Sequence, residues 1–72
     1  MTILKDGKKI AVLPDSPKNF DAGCKGGTLS IIIGNDDVTL ARYATHDEAS
    51  AVLKSLGKCY LDGESEFNLP KE

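Results

Sequence analysis

The chain has 72 residues, a net charge of −2 and a pI near 5.3, with 40% hydrophobic and 6% aromatic residues. That length suits one domain, and a domain so small buries only about 60% of its unfolded surface, so it needs support from a disulfide, a metal, a partner or a second copy. The mild acidity argues against a dedicated nucleic-acid binder, which carries a basic face and a pI above about 9, and no apolar run approaches the roughly 20 residues of a membrane span.

Residues 2–13, TILKDGKKIAVL, predict a β-hairpin. Ile3 and Leu4 precede Asp6-Gly7 and Ile10, Val12 and Leu13 follow it, and Asp-Gly tolerates the positive φ of a two-residue turn. The first arm is short, which suits an edge strand. Lys5, Lys8 and Lys9 surround the turn and read as its solvated tip. The opening MTILKDGKKI has no apolar segment of a secretory leader, so a cytoplasmic location is expected, with Cys24 and Cys59 reduced. Two thiols without further ligands do not make a zinc site.

Residues 14–27, PDSPKNFDAGCKGG, read as a long loop, because prolines, glycines and small polar residues break both ladder and helix. Phe20 is its one large apolar residue and is expected to pin it to the core. Gly23-Cys24-Lys25-Gly26-Gly27 is glycine-rich with a lysine but lacks the strand-to-helix setting of a P-loop. Its free N–H groups and Lys25 could still contact an anion. Cys24 stands beside Lys25, yet no base or oxyanion partner is legible for a catalytic thiol.

Residues 28–43, TLSIIIGNDDVTLARY, predict the strongest hairpin, with Gly34-Asn35-Asp36-Asp37 as its turn. Asn35-Asp36-Asp37 lacks the glycine and glutamate spacing of a calcium loop. Leu29, Ile31 and Ile33 share one face, and Ser30 and Ile32 the other; on the return strand Val38, Leu40 and Arg42 alternate with Thr39, Ala41 and Tyr43. Neither face is fully polar, which suits a sheet covered by a helix on one side and by a partner on the other. Arg42 falls among apolar neighbours, where an ion pair with Asp or Glu is expected, or else contact with a ligand or partner.

Thr45 and Glu48 form the capping-box pattern, with Asp47 and Glu48 at the positive end of the helix dipole. Ala49, Val52, Leu53 and Leu56 recur at i, i+3, i+4, i+7, and Gly57 is the expected stop. The stripe must lie on the sheet, since a helix of about three turns does not hold alone. His46, the single histidine, decorates the capping turn and has no partners in sequence for acid–base work. Residues 58–63 suit a last short strand or a turn, and the acidic tail 64–72 is expected to fray.

The expected architecture is therefore α+β: a small antiparallel sheet of about four strands in the order ββ-ββ-α, one amphipathic helix on one face, and a single domain over residues 1–63. No convergent catalytic set is visible, which favours a non-enzymatic module without cofactor or metal. Two stretches carry a resemblance. VTLARYATHDEASAVLKSL, through Leu40, Tyr43, Thr45, Glu48, Ala49, Val52 and Leu53, resembles small phage and prophage proteins in which a hairpin leads into a capped helix. ILKDGKKI is similar to their opening strand–turn–strand, and together the two cover about half of the chain. The glycine-rich stretch has no counterpart there. Most such proteins have no assigned activity, and some counter bacterial defence by blocking a protein effector or by sequestering nucleotide signals at subunit interfaces. The marginal size and the two-sided sheet suit a homo-oligomer that binds a partner such as a host protein through an exposed sheet face; the resemblance implies, as the alternative, a nucleotide-like ligand held at subunit interfaces. Lys25, Gly26, Gly27 and Arg42 are the candidate contacts.

Overall fold

A computed structural model describes residues 1–71. Thr2–Lys5 (β1) and Lys8–Val12 (β2) form the predicted hairpin, with Asp6 and Gly7 at φ +53° and +78°, the two positive values a type I′ turn requires. β1 is not an edge strand. Glu66–Asn68 (β6) runs parallel along its other side, pairing Thr2 with Glu66, Ile3 with Phe67 and Leu4 with Asn68. The order of this first sheet is β2-β1-β6. The tail expected to fray therefore carries a strand, and Phe67 and Leu69 are each only 8% exposed. Burial of these two side chains supplies what the polar composition of 64–72 concealed.

The stretch expected to be a loop is also largely ordered. A short 3₁₀ turn, Pro17–Asn19, leads into Phe20–Lys25 (β3), which pairs with Thr28–Ile33 (β4) along its whole length. Gly26-Gly27 is the two-residue turn between them. Asp36–Arg42 (β5) completes a second sheet in the order β3-β4-β5. The turn between β4 and β5 is shorter than predicted: Asp36 and Asp37 lie in the strand, opposite Ile33 and Ile32. The single sheet of about four strands thus becomes two sheets of three strands each, and the α+β class stands.

A bulge re-phases β5. Val38 faces Ile31, but Ala41 faces Leu29, so Leu40 is the extra residue. Both Leu40 and Ala41 are 2% exposed in consequence, and Arg42 turns to the face opposite the core.

The helix α1 spans His46–Leu61, so residues 58–61, expected as a last short strand or a turn, are instead helical and run about one turn past Gly57. Thr45 Oγ1 accepts from Glu48 N–H at 3.2 Å, as its capping role requires. Gly57 sits inside the helix, because Cys59 and Tyr60 continue the buried stripe past it. The true stop is Gly63, at φ +79°. Gly63 N–H donates to Tyr60 O and Glu64 N–H to Cys59 O, the paired bonds of a Schellman end. Gly57 is exposed, and a Cβ added there meets nothing within 4 Å. Gly57→Ala is therefore expected to stabilise the fold by about 0.5–1 kcal/mol, raising the melting temperature by roughly 2–8 °C. Thermal unfolding by circular dichroism checks this, and a lowered midpoint would place the helix end elsewhere.

One core joins the two sheets and the helix. Ile3, Leu13, Leu29, Ile31, Leu40 and Leu56 are nearly inaccessible, and Ala49 and Val52 bring the helix stripe against β3 and β4. Phe20 packs edge-on against Tyr60, with centroids 5.1 Å apart, so it pins its segment to the core as predicted. Tyr60 Oη donates to Pro14 O at 2.6 Å, and Tyr43 Oη to Pro70 O at 3.0 Å. These two phenols tie the chain before β3 and the chain after β6 to the body of the domain.

Candidate functional site

Strand register decides what each face of the second sheet carries. On the core face Phe20, Ile33 and Asp36 form one rung, Ala22, Ile31 and Val38 the next, and Cys24, Leu29 and Ala41 the third. The opposite face carries Asp21, Ile32 and Asp37, then Gly23, Ser30 and Thr39, then Lys25, Thr28 and Arg42. α1 packs against β3 and β4, and β2 meets β5; on the opposite face Asp21, Lys25, Ile32, Asp37, Thr39 and Arg42 are exposed. Ile32, 45% exposed, is the large apolar side chain on this uncovered face.

Two of the candidate contacts are brought together there. Lys25 and Arg42 flank Thr28 on one rung, both exposed, with their Cα atoms two strand spacings or about 10 Å apart. The sequence order hides this, because residues 25 and 42 meet only through the strand between them. The bulge at Leu40 is needed as well, since without it Arg42 would point into the core.

Gly26 and Gly27 do something different. Gly26 O accepts from His46 Nδ1 at 3.1 Å, and Tyr43 N–H donates to Gly27 O at 2.7 Å. A Cβ built on Gly27 would lie 2.0 Å from Tyr43 O and 2.9 Å from Tyr43 C. Gly27 is thus a packing glycine: its lack of a side chain lets the β3–β4 turn close on the backbone that leads into α1.

Cys24 Sγ stands 3.8 Å from the same His46 Nδ1. A carbonyl oxygen can only accept, so Nδ1 carries the proton, and the sulfur can at most share that donor. Nδ1 is therefore not placed to take a proton from the thiol. His46 instead ties the start of α1 to the Gly26-Gly27 turn. Sequence reasoning missed this pairing because the segment holding Cys24 was read as loop. The signal was present in Gly26-Gly27, a two-residue hairpin turn ahead of a β-branched run.

Both cysteines are free and half-buried. Among the described residues no cluster of three or more His, Cys, Asp or Glu could hold a metal ion, and no helix is long and apolar enough to cross a membrane. Among the described residues, two shallow depressions are of note. One of about 350 Å³ lies between the first hairpin turn and Leu69–Lys71; the other, of about 300 Å³, runs from Lys18 and Asn19 past Asp21 and Ile32 to Gly34, at the acidic end of the uncovered face.

Comparison of the chain with protein-family models, with characterised proteins and with solved structures finds no match.

Proposed function

We propose that the chain is a non-enzymatic binding module of phage or mobile-element origin, acting in the cytoplasm through the uncovered face of β3-β4-β5. One observation carries the reading: the outward face keeps its acidic and basic ends exposed, and it presents a half-exposed Ile32 between Asp21 and Asp37 at the acidic end. A three-stranded sheet with one face packed and one open offers a ready interaction surface. The marginal size of the domain favours a covering partner for the same reason.

Oxidative footprinting of the native chain tests this, dilute and in concentrated extract of cells that make it. Ile32 is expected to be protected in extract relative to Leu61, which is 83% exposed at the end of α1 and serves as the reference. Equal oxidation of Ile32 in both conditions would sink the reading.

The cationic rung favours a second reading, in which Lys25 and Arg42 hold an anionic ligand of nucleotide type, with Gly26 and Gly27 positioning the turn beneath it. A ligand present at about a hundred times its Kd adds about 2.7 kcal/mol of stability. A thermal-shift panel of cyclic and linear nucleotides with no response would dispose of it.

A further inference from the structure

We propose that the partner covering the uncovered face is a second copy of this chain, docked face to face about a two-fold axis along the Gly23–Ser30–Thr39 rung. This rests on the reading of that face as the binding surface and identifies its occupant.

The argument is one of symmetry and charge. On each strand the outward residues are placed evenly about the central rung: Asp21 and Lys25 about Gly23, Ile32 and Thr28 about Ser30, Asp37 and Arg42 about Thr39. The third pair is symmetric only because the bulge at Leu40 adds one residue between Thr39 and Arg42. A two-fold axis lying in the interface along that rung reverses strand direction and keeps each strand over its own copy. Lys25 of one copy then stands over Asp21 of the other, Arg42 over Asp37, and Thr28 over Ile32. Each contact occurs twice, as an isologous interface requires. The opposite alignment, with strands parallel, would set cation over cation and carboxylate over carboxylate, so the charges select one orientation.

The middle of the face is shaped for close approach. Gly23, Ser30 and Thr39 are small, and the space where a Gly23 side chain would sit is open. Stacked sheets pack about 10 Å apart, which a lysine reaching toward an aspartate can span. The depression of about 300 Å³ beside Asp21 and Ile32 lies where the other copy's Lys25 arrives. Lys18 on its rim places one opposing charge at that end, which leaves the acidic end net negative. Three strands about 4.8 Å apart and six residues long at about 3.4 Å per residue give a footprint of only about 14 by 20 Å. That belongs to the weak class of interface, so association is to be sought at roughly 10 µM to 1 mM.

Two single-sign variants provide the test. Lys25→Glu/Arg42→Glu makes the face wholly acidic apart from Lys18, and Asp21→Lys/Asp37→Lys makes it wholly basic; all four positions are exposed, so the fold is expected to persist by circular dichroism. Sedimentation velocity on the wild type should show a dimer that weakens at least about fivefold between 0.05 and 0.5 M salt. Each variant alone should associate at least about tenfold more weakly, and an equimolar mixture of the two should recover a one-to-one dimer. Should either double variant fail to fold, the swap Asp21→Lys/Lys25→Asp keeps the composition and should dimerise like the wild type. A wild type that stays monomeric at about 1 mM overturns the proposal, as do variants that self-associate unchanged or a mixture or swap that does not associate. A monomeric purified chain whose Ile32 is still protected in extract would remove the second copy and leave the binding face standing.

Discussion

Phe67→Ala is expected to cost about 3–5 kcal/mol, the range for emptying a buried phenylalanine site. A 72-residue domain has roughly 4–11 kcal/mol in total, so the variant should be largely unfolded near 37 °C or sit close to its midpoint. Phe67 is 8% exposed and stands beside the fully buried Ile3 in the β1–β6 pair. Its removal uncouples β6 from the core, and with it the Leu69 N–H bond to Leu4 O and the Tyr43 bond to Pro70 O. Asn68→Ala, on the exposed side of the same strand, should change stability by less than about 0.5 kcal/mol. Urea unfolding of the pair separates the alternatives. Equal midpoints for both variants would mean that residues 66–68 do not hold the core.

Gly27→Ala is the second change with a large expected effect, about 3 kcal/mol. The new methyl would lie within 2.0 Å of Tyr43 O, a backbone atom that no rotamer change can move aside. Relief requires a shift of the β3–β4 turn or of the chain entering α1, and either weakens the 2.7 Å bond from Tyr43 N–H to Gly27 O. The neighbouring Gly26→Ala has open space but φ +60°, so its cost is about 1–2 kcal/mol and is purely conformational. Gly23→Ala, in open space without a positive φ, should be nearly neutral or slightly stabilising. Denaturant midpoints in the order Gly23→Ala above Gly26→Ala above Gly27→Ala are the expected result. A Gly27→Ala protein of wild-type stability would show that the turn does not close on Tyr43, and would return Gly27 to the role of an anion-binding loop residue.

These expectations separate what local chemistry decided from what the assembled fold decided. The first hairpin, the hairpin of β4 and β5, the Thr45 cap and the helix stripe were legible because each rests on neighbours within a few residues. Asp-Gly at a turn, alternation at period two and apolar spacing at i, i+3, i+4 act through the backbone at short range. β3 was hidden because Asp21, Ala22 and Gly23 have poor strand propensity on their own. They become a strand when the strongly β-forming 28–33 offers a ladder, and Phe20 adds its contact with Tyr60. β6 was hidden for a related reason. Its one core residue, Phe67, finds Ile3 only after the whole intervening chain has folded back on β1.

The candidate site divides along the same line. Residue types alone marked Lys25, Gly26, Gly27 and Arg42. That Lys25 and Arg42 share a rung, while Gly26 and Gly27 serve the join between sheet and helix, was decided by strand register and by one inserted residue in β5. A shift of one position in a strand moves every side chain to the opposite face. Composition and periodicity determined that this chain folds as a small α+β domain with a capped helix on a sheet. Only the pairing of β3, β4 and β5 determined which charges look outward together, because register is a property of two strands and never of one.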